Sequence, residues 1–202
     1  MNTASATHFS KLTRRTVPVG LILVMLLIPG AGRTEPDAED VGGKNRIAEE
    51  LYNRGYRVSL LGYYEQAIRY FEKSLEIHPT AEAYTYMGWT YSHMGDYQRA
   101  ITEAEEAIRI DPDFGNPYND IGVYLMELDR DDEAVPYLKK AMHAKRYCCY
   151  QFPHFNIGRI YLKKKMYEEA KQEFDKSLAI DPKYLPAKVA LELLEKAGIK
   201  GI

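Results

Sequence analysis

Cys148 and Cys149 stand side by side, with His143 and His154 five residues out on either side, in the pattern His-x4-Cys-Cys-x4-His. Thiolates and imidazoles are the ligands of zinc and copper, and a cysteine pair can also serve as a redox centre. The spacing matches no standard zinc site. Neighbouring cysteines close only a strained ring, so the expectation is two small apolar thiols packed in a loop. The usual signatures of catalysis are missing: the sequence has no Gly-rich phosphate loop, no nucleophile elbow and no His-Glu-x-x-His, and the lysines after Gly158 read as a helix face. The expectation is therefore no catalytic residue, no metal, no cofactor and no enzyme activity.

The remaining composition is that of an ordinary folded chain: 202 residues, 46% apolar and 28% charged. Seventeen tyrosines against six phenylalanines and one tryptophan point to many half-buried positions, where a ring packs and its hydroxyl reaches water. Residues 1–32 read differently. They hold Lys11, Arg14 and Arg15 but no acid, then an apolar run from Val17 to Ile28, then Gly30-Ala31-Gly32, the order of a signal peptide. A twelve-residue run is short for a membrane span, so an uncleaved signal anchor is the alternative. This predicts an exported chain, periplasmic or otherwise extracytoplasmic, with membrane association only through an uncleaved segment 17–28. Without residues 1–32 the formal charge is −5, from 24 basic and 29 acidic residues, which argues against nucleic acid as a partner. Residues 33–45 are polar, contain glycine and lack an apolar period, and so read as a flexible linker.

The elements that must position any site come from a repeat. Gly55, Gly88, Gly122 and Gly158 are 33, 34 and 36 residues apart, and Ala67, Ala100, Ala134 and Ala170 keep the same three intervals. Pro79, Pro112 and Pro182 close three of the four units, and Arg146 stands where the third proline would fall. Small residues at paired positions let two helix backbones approach closely. Gly62 and Gly95-Asp96 mark turns between helices, with Asp96 an N-cap, and Asn116-Pro117 reads as an N-cap followed by the first helical residue.

The second unit carries Tyr84, Met87-Gly88, Tyr91, Ala100 and Pro112, and the fourth carries Ile157-Gly158, Tyr161, Ala170, Phe174 and Pro182. This pattern resembles the tetratricopeptide repeat. The first unit departs most, with Arg54 where a leucine is usual. The resemblance implies an all-α fold: a right-handed α-solenoid of four helix pairs, with repeats near 48–80, 81–114, 115–150 and 151–184, a capping helix over 184–197, and a domain spanning 46–198. In the last helix Ala187, Ala190, Leu191 and Leu194 share one face that closes the stack, while Leu185, Val189 and Leu193 form a second stripe that reads as a wider core face or a dimer contact.

In such stacks the first helix of each pair lines a concave groove. The expected partner-binding residues are Tyr52 and Tyr56; Thr85, Trp89 and His93; Asn119, Val123 and Met126; and Phe152, Phe155, Arg159 and Lys163. Gly88 faces its paired helix, so Trp89, about 100° further round, faces the groove. Aromatic rings at this spacing either dock a partner's apolar side chains or fill space between repeats. The clamp of Lys, Asn and Arg by which some tetratricopeptide domains grip a C-terminal carboxylate is absent, since Tyr52, Tyr56, Tyr86, Asn116 and Asp120 occupy the matching surfaces. Residues 95–135 hold twelve acids and three bases and residues 136–176 ten bases and four acids, which reads as solvated helix faces.

The reading that follows is a protein–protein adaptor that binds a protein or peptide in the groove. It resembles small exported tetratricopeptide proteins that help assemble bacterial envelope machines such as type IV pili, although those usually carry a cysteine directly after the signal. The alternatives are a self-associating scaffold, with homo-oligomers, and a metal or redox accessory protein acting through Cys148 and Cys149.

Overall fold

Among the described residues the second helix of each pair carries an apolar stripe, and the first, packed between neighbours, is less one-sided. The computed structural model describes residues 38–198; the expected signal segment lies outside them. Among the described residues nine helices follow one another: α1 (Ala38–Leu60), α2 (Tyr64–Ile77), α3 (Ala81–His93), α4 (Tyr97–Ile110), α5 (Gly115–Glu127), α6 (Asp131–His143), α7 (Gln151–Lys163), α8 (Tyr167–Ile180) and α9 (Leu185–Lys196). The only strand-like pairing among them is one isolated parallel bridge, Phe114 with Arg146.

The second helix of each pair shows why the pattern works. Ala67, Phe71 and Ser74 on α2, Ala100, Ala104 and Ala107 on α4, Ala134, Leu138 and Ala141 on α6, and Ala170, Phe174 and Ser177 on α8 recur at three- and four-residue spacing and are all buried. The two serines add a polar tie. Ser74 Oγ donates to the Ala48 carbonyl within α1 at 2.7 Å and Ser177 Oγ to the Gln151 carbonyl at the start of α7 at 2.9 Å, each tying its helix to the one it packs on. α1 and α2, α3 and α4, α5 and α6, and α7 and α8 form the four tightest pairs, and each second helix then packs on the next first helix, ending with α8 on α9.

The repeat glycines are needed for a reason more specific than backbone approach. A Cβ on Gly158 would sit 2.5 Å from the Phe174 ring, one on Gly122 2.5 Å from Leu138, and one on Gly55 2.9 Å from the Phe71 ring. The large side chain four residues after the alanine fills the space over the glycine. In the second pair Ala104 takes that place, and Gly88 instead meets the Ala100 carbonyl, which a Cβ would approach to 2.9 Å. That pair nests backbone against backbone.

Several local expectations change. Residues 38–45, read as linker, form the first turns of α1. Residues 42–47 are not buried, and Ala48 is the first buried residue among those whose burial is described, so this stretch carries no packed stripe to give an apolar period. Asn116 is not an N-cap: α5 starts at Gly115, one residue earlier, where the Gly115 N–H donates to the Arg146 carbonyl and the Arg146 N–H to the Asp113 carbonyl. This backbone pairing takes over the stop that proline makes elsewhere, which accounts for arginine at the end of the third unit. Asp96 does cap α4, accepting from the Arg99 N–H at 3.0 Å. Gly62 and Gly95 have positive φ, and so do Asp129 and Lys165, which stand at the same repeat position. Side chains there carry a cost that glycine avoids.

The charge asymmetry also reads differently in three dimensions. Lys145 pairs with Asp113 at 2.9 Å, Lys163 with Asp129 at 2.7 Å and Asp131 at 2.8 Å, and Arg146 with Glu82 at 2.6 Å; Arg146 also reaches Asp111, and Lys164 reaches Asp132. Part of the basic stretch thus pairs across exposed surface with part of the acidic one. Each exposed pair contributes on the order of 0–1 kcal/mol.

Two alanine substitutions separate close approach from helix propensity. Gly88→Ala should lower unfolding free energy by about 1–3 kcal/mol, because its methyl meets immovable backbone. Gly42→Ala, whose Cβ would meet nothing within 4 Å, should leave stability unchanged or raise it by up to about 1 kcal/mol. Urea unfolding of both variants measures this contrast.

The inner row of helices as a candidate functional site

Alternate helices touch along one side only. α1 meets α3, α3 meets α5 and α5 meets α7, and no comparable contacts join α2, α4, α6 and α8. The odd-numbered helices are thus the closer-set row and form the inner side of the stack. Every residue expected to line the groove lies on this row, although the structure uses them in different ways.

At the start of the row the rings pack on one another. Tyr52 lies 6.0 Å from the Phe71 ring and 5.9 Å from Tyr86, and Tyr56 lies 4.9 Å from Tyr86 edge-on. Burial, followed by the charges of Tyr86 and Glu82, raises the pKa of the Tyr52 hydroxyl far above its usual range. Tyr52 is therefore largely a packing residue. Trp89 stands apart: it is half-buried, belongs to none of the buried clusters, and makes its ring contact with His93, 3.9 Å away at a near right angle. His93 in turn stacks on Tyr64 of α2 at 5.6 Å. Thr85 offers little to a partner. It is 5% exposed, and its hydroxyl donates to the Ala81 carbonyl of its own helix.

The middle of the row is polar. Asn156 Nδ2 on α7 donates to Asn119 Oδ1 on α5 at 3.2 Å, and Arg159 Nη1 reaches Asn156 Oδ1 at 3.5 Å. Asp120, next to Asn119, receives one long bond from its neighbour's amide at 3.4 Å and has no ion pair among the described residues. Burial pushes its carboxyl up to about 7. Its charge adds to the burial that already raises the hydroxyls of Tyr86, Tyr124 and Tyr147, and the last two are buried without a hydrogen-bond partner among the described residues. Val123 and Met126 are half-buried beside this group, Met126 against the main core.

At the far end Met126, Glu127, Asp131, Arg159 and Lys163 border a cleft of about 410 Å³. Arg159 approaches Glu127 at 3.9 Å, and Lys163 is held by its two aspartates. Phe152 and Phe155 meet Tyr184 at 5.5 and 5.3 Å, and Phe155 also meets Phe174 at 5.6 Å, so these rings knit α7 to the end of the stack. Tyr86, Asp120, Asn156 and Tyr184 are absent from the residues expected by sequence. Three- and four-residue steps along α3 join Tyr86, Trp89 and His93, and that spacing was the available signal for the first of them.

The cysteine pair is corrected. Cys148 and Cys149 form a disulfide with each other, not two packed thiols, in the connection between α6 and α7. Cys149 packs beside Tyr147 and Ala144, which holds the two sulfurs in one loop. The flanking histidines have separate engagements: His143 Nδ1 lies 2.7 Å from the Lys139 carbonyl and His154 Nδ1 2.7 Å from Glu173. Burial favours the neutral Glu173 carboxyl, but His154 and Lys176 outweigh it and lower its pKa. No group of three metal-ligating side chains is present among the described residues.

The two raised carboxyls predict a pH dependence. Glu103 on α4 is also pushed up to about 7, chiefly by burial and then by Glu106 and Glu72. Both groups bind a proton more tightly when folded than when unfolded. Their stabilisation is complete below the unfolded carboxylate range near 4 and is lost as pH rises through about 7. Melting temperature should therefore rise as pH falls from about 8 to about 5, and Asp120→Asn should raise it at pH 8 and flatten the profile. Calorimetry across this range measures both effects.

Comparison with known proteins places this arrangement. The chain is 26% identical over 144 residues to the small glutamine-rich tetratricopeptide repeat-containing protein 2 of Saccharomyces cerevisiae, covering 71% of this chain and 39% of that one. It spans well under half the length of the curated relatives it matches. Among solved structures it is similar to PilF of Pseudomonas aeruginosa, with TM-score 0.65, 24% identity and 79% of each chain covered. It is also similar to PilW, described as a widely conserved type IV pilus biogenesis factor, with TM-score 0.60, 26% identity and coverage of 74% of this chain and 66% of that one. Tetratricopeptide repeat family models match residues 47–113, 118–146 and 152–184, together more than half of the sequence, and the chain belongs to the tetratricopeptide repeat family.

Proposed function

We propose that this protein is a non-enzymatic adaptor that holds a segment of a partner protein along the inner row of α1, α3, α5 and α7, and that it acts in assembling an envelope complex. The observation carrying the reading is Trp89. A lone indole, half-buried on the inner row with its ring contact to the exposed His93, fits an anchor better than a core residue. Around it the row offers tyrosine rings, the amide of Asn119, and Asp120, whose carboxylate has no cation among the described residues. A segment with apolar side chains and a basic group would satisfy all three.

The envelope setting rests on two supports. One is the signal-like order of residues 1–32, and the other is the shared fold of PilF and PilW, the latter described as a pilus biogenesis factor. Among the described residues no helix is long and apolar enough to cross a membrane, so any attachment would run through the segment before them.

Affinity capture from envelope extracts, followed by calorimetric titration with the captured protein, tests the reading. Trp89→Ala should weaken binding by about 2 kcal/mol or more while leaving the melting temperature nearly unchanged. Lys73→Ala, on the exposed face of α2, should leave binding intact. A Trp89→Ala variant that binds normally, or that loses about 3–5 kcal/mol of stability, would make the indole structural and remove the anchor.

A further inference from the structure

The last helix ends the stack with an apolar face. Ala187 and Leu194 of α9 are buried against α8, but Leu185, Val189 and Leu193 on another face are 66%, 44% and 61% exposed. With Leu162 of α7 they border an apolar groove of about 590 Å³. A stack whose units touch only their neighbours needs a polar outer surface at its end. This end instead presents three large side chains one turn apart, in the position that the second helix of a fifth pair would cover.

We propose that the α9 helices of two copies of this chain pack antiparallel across this face to form a two-fold dimer. A second copy is indicated by the charges beside the stripe. Lys188 and Glu192 lie one turn apart on the same edge of α9, both exposed, and neither has an ion-pair partner among the described residues. A two-fold axis through Val189 sets Leu185 of one chain opposite Leu193 of the other. The same axis brings Lys188 within about a turn of the second copy's Glu192, and this pair occurs twice. An isologous contact thus gives Lys188 and Glu192 of each chain an opposite charge on the other, while the exposed Glu195 and Lys196 lie nearer the end of the helix. Lys145, Arg146, Lys163 and Lys164 of the middle repeats are already paired within the chain, so α9 carries the association without them.

Sedimentation velocity of the full chain over a dilution series tests the dimer. The wild type should dimerise, and Leu193→Glu should weaken association by about tenfold or more with unchanged helicity by circular dichroism, since the side chain is exposed. Lys188→Glu and Glu192→Lys should each weaken it several-fold, roughly, and the double exchange should restore it to within about twofold, because the pairs reform with reversed sign. A monomer at all concentrations overturns the proposal. So does a dimer indifferent to Leu193→Glu, as expected if the apolar run at residues 17–28 carried the association, and so does a double exchange that fails to rescue.

Discussion

A missing Cβ is the constraint on which this structure depends. At Gly55, Gly122 and Gly158 the space of one methyl group is occupied by Phe71, Leu138 and Phe174, all fully buried. The interlock sets the distance within each helix pair and fixes which way the first helix is turned. On the reading proposed above, that rotation is also what turns the residues one step beyond each glycine toward the inner row: with Gly88 pressed against the Ala100 carbonyl, its neighbour Trp89 is left half-buried outside the core clusters.

The second layer of organisation is electrostatic and runs between repeats. Arg146 stands where a proline would end the third unit, and it links Asp111 of the second unit and Glu82 of α3 while its backbone pairs with Asp113 and Gly115. Lys163 and Lys164 reach back to the acidic turn and helix start at Asp129, Asp131 and Asp132. Individually these exposed pairs contribute little. The Arg146 pairs register the third unit on the second, and the Lys163 and Lys164 pairs register the fourth unit on the third.

The architecture was legible because it is periodic. Two small residues drifting through the same intervals fix the helix pairs, and the turn at Asp96 follows from its own side chain. What escaped were features set by tertiary context. Thr85 has groove spacing but satisfies its hydroxyl within α3 and is buried. Asn116 followed by proline has the chemistry of a cap, yet the backbone pairing with Arg146 starts the helix before it. Phe155 has the type and position of a docking ring, and it is half-buried with one side spent on Phe174 and Tyr184. The linker reading of residues 38–45 rested on a missing apolar period, and the helical turns at 42–47, where no residue is buried, need no such period. Asp120 drew notice only as a departure from a carboxylate clamp, because a single acid in a sequence gives no sign of how much water its fold will remove.

The nesting claim can be measured directly with a double-mutant cycle at Gly158 and Phe174. If the ring occupies the space of the absent methyl, Gly158→Ala should be markedly destabilising in the wild type and much less so beside Phe174→Ala, with a coupling energy on the order of 1–3 kcal/mol. Additive effects, within about 0.5 kcal/mol, would mean that the two positions do not share that space, and the packing origin proposed for the inner row would be contradicted.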